Sequence, residues 1–512
     1  MAQHTNRVSG LQPQSEDTEI MEINPEFQYD NLFNVEDFTA EAEKLLQKSE
    51  TTPHAEILNQ LIEQFEPLDF EVLANPHNVE NFKLNTKHFL VLSIEYALKF
   101  AESNRWGLCK NHDFIYLYNG TFWAEIDKET FQKFLGEAAE QMGVAKFSAR
   151  FYLFREQLFK QFLATAYLPT PQSNKNTVLI NLQNGTFEIS PKGLNLRPFD
   201  RSDFITYQLP FEYNPEAEAP LFKAYLNRVL PDKERQKVLA EYLGYVFIKH
   251  GSNALKEEKA LVLYGTGANG KSVFFEIVNS LLGIDNVSSF SLQSLTNDNG
   301  YFRAKLANKL VNYASEINGN LEASIFKQLV SGEPVEARLP YGQPFILKQY
   351  AKLIFNCNEL PKDVEHTNAY FRRFLIIPFD VTIPPHEQDK QLHSKIIDTE
   401  LSGVFNWVLD GLNRLLDQKR FSECEAAQRA VEQYRVESDS VQMFLNEHEY
   451  KVSVTNEIPL KDMFTNYRNY CSESGFKTCS VRTFADRLRN AGYQTERKNY
   501  GTGVYAEKKK FF

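Results

Sequence analysis

Leu261-Val-Leu-Tyr264, followed by Gly265-Thr-Gly-Ala-Asn-Gly270-Lys271-Ser272, is the stretch on which the fold turns. A short apolar strand runs into Gly-x-x-x-x-Gly-Lys-Ser, and the apolar helical run Val273–Leu282 follows. A loop that wraps phosphate must turn successive backbone N–H groups toward its oxygens. Cβ atoms obstruct such a path, so glycines recur in it. The helix start adds the positive end of its dipole. Lys271 is the cation for the β/γ-phosphates of ATP, and Ser272 is a candidate ligand for Mg²⁺. Gly265, Thr266, Gly267, Ala268, Asn269 and Gly270 supply the cradle.

Partners for this loop are sought on neighbouring strands. Lys309-Leu-Val-Asn-Tyr-Ala-Ser315-Glu316 is an apolar run ending in a carboxylate. Glu316 is the candidate to polarise an attacking water and to share the metal with Ser272. An acid commonly precedes such a glutamate, and Ser315 stands there instead. Lys352-Leu-Ile-Phe-Asn-Cys-Asn358 reads as another strand, with Asn358 at its tip to hold the γ-phosphate or the water. Asn368-Ala-Tyr-Phe-Arg372-Arg373-Phe374 puts two arginines before a further strand, and one of them is a candidate for a neighbouring subunit's ATP. Each has a plain alternative: a solvated glutamate, a strand-capping asparagine, two surface arginines.

The 512 residues allow about three domains. With 42% hydrophobic and 24% charged residues the composition is that of a globular chain. No apolar run is long enough to span a bilayer, and the N-terminus has no secretory pattern. Five scattered cysteines without metal spacing suggest a reducing cytoplasm. The net charge of −11 is unevenly spread. Residues 1–80 carry 17 acidic and 3 basic side chains, whereas Cys479–Phe512 carries 8 basic and 3 acidic. An acidic head and a basic tail are compatible with nucleic-acid binding, and equally with two solvated ends.

Six segments are expected. Residues 1–35 form an acidic disordered tail and 36–104 a helical region. Residues 105–250 form an α+β domain with hairpins at Phe114–Trp123 and Thr177–Ile189. An α/β P-loop ATPase core covers 260–382 and a helical segment 383–436. The tail, 441–512, consists of helices and a terminal hairpin around Lys498–Gly503, the outline of a winged helix.

Taken in order, these motifs resemble the superfamily III helicases, and more closely the phage and plasmid primase-helicases of the satellite-phage and poxvirus kind. The A motif is Gly265–Ser272, the B motif ends at Glu316, the C motif ends at Asn358, and the arginine motif is Arg372-Arg373. Lys327–Arg338 matches the family's intervening motif. Tyr118–Trp123, Asn181–Gly185 and Tyr213–Ala217 are similar to its upstream segment. The resemblance implies an AAA+-like core, a homo-hexameric ring, ATP hydrolysis between subunits and translocation on single-stranded DNA in a bacterial host cell. Forked DNA and a separate primase or other replication proteins are the implied partners, with no membrane. It also implies that the hairpin formed by Val335–Arg338 and Phe345–Gln349 faces DNA. Arg338, Tyr341 and Lys348 are then candidate contacts, cations for phosphates and a ring for stacking. Arg497 and Lys498 are candidates in the tail.

Primase chemistry needs a carboxylate pair for two metals. Asp69 and Glu71 have the spacing, but they lie in an acidic stretch, with only about 100 residues before the resemblance begins. Two other functions fit the motifs: a DNA-binding initiator or scaffold that uses ATP to assemble, and a defence-associated ATPase.

Overall fold

The computed structural model describes residues 52–508 apart from 78, 112–113, 167–174, 316, 318–320, 341 and 362–363. The acidic tail expected at 1–35 lies outside the described residues, as do the site candidates Glu316 and Tyr341.

Helices His54–Gln64, Phe70–Ala74 and Thr86–Ser103 come first. The last begins with a capping box, in which Asn85 and His88 satisfy each other's backbone N–H groups. Asp69 caps the second, accepting from the N–H groups of Glu71 and Val72. The Asp69/Glu71 spacing is therefore a helix start, not an alternating strand that presents two acids to a metal.

Strands β1 (Gly107–Asn111), β2 (Phe114–Tyr118) and β3 (Trp123–Ile126) form an antiparallel sheet. Trp123 pairs with Tyr118, so the connection is the four residues 119–122. The Asn119 carboxamide oxygen accepts from Thr121 N–H and hydroxyl and from Phe122 N–H, which delays the strand expected at Thr121. Helices Lys128–Gln141, Lys146–Arg150 and Tyr152–Thr165 follow. A second antiparallel sheet holds β4 (Val178–Leu182), β5 (Gly185–Ser190) and β6 (Gly193–Arg197). Two helices, Pro220–Val229 and Lys233–Tyr245, lead to the phosphate loop.

The fold is mixed α/β, and its centre is a five-stranded parallel sheet consistent with a P-loop core. Its strands are β7 (Ala260–Tyr264), β8 (Val287–Ser288), β9 (Val311–Ala314), β12 (Lys352–Cys357) and β13 (Phe374–Pro378). Their order is β13-β7-β12-β9-β8. Both faces are covered, which is why these strands read as continuous apolar runs. On one face Leu261, Leu263, Ile354 and Ile377 pack with helix Lys271–Leu282 and the long helix Leu392–Gln418. On the other, Val262, Phe355 and Ile376 pack with Phe326, Tyr370 and Tyr434. The hairpin β10 (Val335–Arg338) and β11 (Pro344–Leu347) forms as expected, with Arg338 opposite Pro344.

The small sheet β1–β3 serves two cores. Leu108, Ile115 and Leu117 pack with the N-terminal helices, whereas Phe114, Tyr116 and Trp123 belong to the cluster under the central sheet.

After helix Glu425–Glu437, the C-terminal part has its own core around Phe444, Tyr467 and Phe484. Helices Ser440–Glu447, Leu460–Ser474 and Val481–Asn490 pack on β14 (Tyr450–Pro459), β15 (Thr495–Lys498) and β16 (Gly501–Lys508), in the sheet order β14-β16-β15. β14 was not expected; its pairing with β16 shifts register between Val452 and Glu457, which breaks the alternation that marks a strand. The terminal turn is tighter than the expected span 498–503, because Lys498 pairs directly with Gly501. Among the described residues no helix is long and apolar enough to cross a membrane.

Candidate functional site

The loop leaves β7 at the carboxyl end of the sheet, where open α/β sheets place their ligands. Its shape depends on left-handed residues: φ is 121° at Gly267, 49° at Ala268 and 85° at Gly270. Gly265 is needed for space, since a Cβ there would lie 2.2 Å from Asn269 Nδ2 and 2.6 Å from the Phe379 carbonyl oxygen.

Four anchors hold the loop. Gly265 N–H donates to the Cys357 carbonyl at the end of β12 (3.2 Å). Asn269 Nδ2 donates to the Phe379 carbonyl just after β13 (3.1 Å). Ile383 N–H donates to the Ala268 carbonyl (2.7 Å). The buried Tyr225 hydroxyl, from helix Pro220–Val229, donates to the Gly270 carbonyl (2.8 Å). Sequence reading missed Tyr225, because nothing in a helix 45 residues upstream marks one tyrosine as a loop support.

Lys271 is 7% exposed, and its Nζ donates to the Gly265 carbonyl (2.6 Å) and Asn269 Oδ1 (3.1 Å). Burial lowers its pKa, with the nearby Cys357 opposing. The lysine is thus folded onto its own loop by bonds to neutral acceptors, which a polyanion outcompetes. The backbone N–H groups of residues 266–270 donate to no described residue. Unclaimed donors, a helix start and an exposed Ser272 at its first turn fit a nucleotide phosphate with its Mg²⁺. Ser272 would hold the metal, whose chemistry is to neutralise phosphate charge.

Asn358 is exposed just past β12, beside the loop, because Cys357 pairs with Tyr264. Ser315 is exposed one residue past β9. The sheet therefore brings the tips of β7, β12 and β9 to one edge, as the motif order requires. Among the described residues, no group of three or more His, Cys, Asp or Glu side chains is placed to hold a metal.

The arginines lie elsewhere. They precede β13 and so stand at the amino end of the sheet, where the Arg373 carbonyl accepts from Ala260 N–H (2.8 Å). The two differ sharply. Arg373 is 8% exposed and donates to Ser331 Oγ (2.8 Å) and the Ala369 carbonyl, with Glu258 3.3 Å away. Arg372 is 57% exposed and pairs with Glu258, at 3.1 Å. Glu258 was not singled out from the sequence; it sits in a charged run, Lys256–Lys259, that reads as a linker.

On the hairpin, Arg338 and Lys348 are exposed, and Arg338 Nε donates to the Gly342 carbonyl (2.9 Å) across the turn. The hairpin is fixed at its base. The buried Arg303 donates to the carbonyls of Glu336 (2.7 Å) and Leu295 (3.1 Å), and Phe345 meets Phe114 edge-on at 5.8 Å. In the tail Arg497 is exposed. Lys498 is bound to Glu496 (2.7 Å) and lies 3.7 Å from Glu457, so its charge is already answered within the sheet.

Three family models match the chain. Residues 97–231 match the D5 N terminal like family, 263–373 a family of unknown function (DUF5906), and 436–512 the Poxvirus D5 protein-like family. Protein L207/L206 of Acanthamoeba polyphaga mimivirus, whose name assigns it provisionally to the helicases, is 25% identical over 348 residues. That match takes in 62% of this chain and 35% of the relative. Protein 121R of Invertebrate iridescent virus 3, named in the same way, is 23% identical, over 63% of this chain and 38% of its own. The chain spans little more than a third of the length of these relatives. The apo C terminal region of NrS-1 aligns with a TM-score of 0.46 at 13% identity, over 80% of this chain and 98% of that one. The resemblance to D5-type primase-helicases, carried first by the motifs, is thus shown along the chain.

Proposed function

We propose that this chain is an ATP-driven replicative DNA helicase of superfamily III, with an AAA+-like core working as a homo-hexameric ring on single-stranded DNA. The replicon it serves is that of a virus, phage or other mobile element. The observation that carries the reading is the division of the ATP machinery between the two ends of one sheet. The phosphate loop, Asn358 and the tip of β9 share one edge, while the exposed Arg372 stands at the other. Such a chain has half of two sites, and a ring of copies completes each.

In this reading Lys271 and the loop N–H groups bind the β/γ-phosphates, Ser272 with Glu316 holds Mg²⁺, and Glu316 orients the attacking water. Asn358 senses the γ-phosphate. The hairpin, with Arg338, Tyr341 and Lys348, carries the change to DNA. The segments 36–104, 105–250, 260–382, 383–436 and 441–512 act as the parts of this machine, the last as a winged-helix-like module with Arg497 toward DNA. The exposed Ser315, in place of a second acid, favours one other reading: an initiator or scaffold that ATP assembles and that unwinds little.

The deciding experiment measures ATPase with and without single-stranded DNA, together with strand displacement on a fork. Stimulated turnover with displacement supports the helicase. ATP-dependent assembly on DNA without displacement supports the scaffold.

A further inference from the structure

The described residues also enclose a cavity of about 420 Å³ at the amino end of the central sheet, away from the phosphate loop. Lys352, the first residue of β12, lies in its wall, and so does Leu310, just before β9. It opens at the root of the β10–β11 hairpin, which contributes Phe345 and Leu347, with Lys348 just beyond. Its size falls in the range of sites that hold small organic ligands, roughly 300–1,000 Å³.

Its chemistry is specific. Lys352 is 6% exposed, and its Nζ lies 3.1 Å from His250 Nδ1 and 4.1 Å above the Tyr245 ring. It forms no ion pair with a described carboxylate, so its charged form has no counter-charge in the wall, an arrangement that costs stability. Lys249 and Lys348 line the same cavity and are exposed to solvent. The acid in the wall, Asp203, is already bound to Arg197 at 2.8 Å. The cavity thus carries an excess of positive charge.

Aromatic side chains form part of the remaining wall, beside aliphatic ones such as Leu179 and Ile248. Phe204 is left-handed, with φ 47° and ψ 54°, a conformation that a bulky residue adopts rarely and at a cost. It is held there by Trp123, stacked at 5.3 Å, and by Tyr116, edge-on at 5.1 Å. Tyr207 and Phe345 add further rings to the wall. A wall with more cations than acids, set among aromatic faces, suits a flat aromatic ring bearing an anionic group.

We propose that this cavity binds one nucleotide unit, its base among Phe204, Tyr207 and Phe345 and its phosphate at Lys352, with Lys249 and Lys348 at the mouth. The nucleotide is either part of the strand that the hairpin handles, in which case the assignment rests on the helicase reading, or a free mononucleotide. The phosphate supplies the counter-charge that Lys352 lacks.

The test uses the full chain carrying Lys271→Ala, which removes phosphate-loop binding. The probes are a short oligothymidylate containing iododeoxyuridine and free thymidine monophosphate. Photocrosslinks to peptides bearing Phe204 or Phe345 are expected. Lys352→Met should weaken binding about tenfold, the scale of a lost charge-assisted contact. Lys249→Ala, at an exposed position that folding tolerates, should lower the slope of log affinity on log salt by about one. Crosslinking by the oligonucleotide assigns the strand as the source. Calorimetric binding of the monophosphate alone, lost in Lys352→Met, assigns the free nucleotide.

The proposal falls if the oligonucleotide does not crosslink there, the monophosphate does not bind, and neither substitution changes affinity. Single-strand stimulation of ATPase, measured with Lys271 intact, separates this failure from that of the helicase reading. Unaltered stimulation in both cavity variants, with no monophosphate binding, leaves the helicase standing and removes the cavity. Monophosphate binding without any stimulation does the reverse.

Discussion

Arg372 and Lys271 stand at opposite ends of one parallel sheet. Phe374 pairs with Ala260 at the arginine end, and Pro378 pairs with Tyr264 at the loop end. Four strand steps separate the ends, roughly 13 Å. The backbone of Arg372 thus stands at the far end of the sheet from its own chain's loop, which is the placement that the proposed inter-subunit site calls for.

Arg372→Ala is expected to keep nucleotide binding and to lower turnover by 10²-fold or more, on the order of a lost arginine finger. Mixing it with Lys271→Ala should restore part of the ATPase at hybrid interfaces. Arg373→Ala should instead lower the melting temperature, at about 2–4 kcal/mol, by removing a buried guanidinium that ties Ser331 and Ala369 to Glu258. Mixed proteins without recovered activity would contradict the trans role of Arg372.

Glu316→Gln is expected to bind ATP with near-normal affinity and to lose hydrolysis, whereas Lys271→Ala loses binding itself. Equilibrium binding of a fluorescent ATP analogue, beside a phosphate-release assay, separates the two. Normal turnover in either variant would remove that residue from the mechanism.

Tyr225→Phe deletes one hydroxyl and leaves the Gly270 carbonyl with the Phe274 N–H as its remaining donor. The expected effect is weaker nucleotide binding by about 1 kcal/mol, with turnover at saturation little changed. Gly270→Ala should be far worse: a Cβ there lies 2.7 Å from Val229 Cγ1 and must also adopt φ 85°. An unchanged KM in Tyr225→Phe would make the hydroxyl incidental.

Lys352 gives stability a pH signature. Burial pulls its pKa from 10.5 to about 7. Between those values the unfolded chain binds more protons than the folded one, so this contribution to stability rises with pH, by at most about 1.4 kcal/mol per unit. Below the folded value both states are charged and the burial penalty is complete. Lys352→Met should flatten the rise and raise stability near neutrality, as read by urea unfolding across that window. The same slope in the variant would refute the assignment.

Removing residues 441–512 should spare basal ATPase and weaken DNA loading, with a shallower salt dependence. Within the tail, Arg497→Ala should matter more than Lys498→Ala, because Lys498 is held by Glu496. Filter binding at several salt concentrations reads both effects. An unchanged slope in the truncation would leave the tail a docking or structural module.

What the sequence made legible was local. The loop at Gly265–Ser272, the strands at 260–264 and 352–357 and the hairpin at 335–347 are short-range patterns, set by glycine placement, apolar runs and a proline-bearing turn. Contacts between distant segments left no such mark. Tyr225 under Gly270, Glu258 between two arginines, and His250 beside Lys352 join residues whose neighbours along the chain are unremarkable. Arg372 and Arg373 were equivalent as letters; only packing against Ser331 tells them apart. β1, β6 and β14 were missed because each completes a sheet through partners already paired, and their own patterns are short or interrupted.

The sheet β1–β3 has a bearing on how relatives of this chain can be recombined. The linker before Ala260 looks like a natural place to join one ATPase to another protein's upstream half. A crossover there would separate Phe114 from Phe345, and Tyr116 from the Asn308 carboxamide that it reaches at 3.0 Å. A chimera joined at that point inherits mismatched halves of a wall, and one that exchanges 54–382 as a block does not. Functional exchanges among such chains should therefore respect the wall rather than the linker.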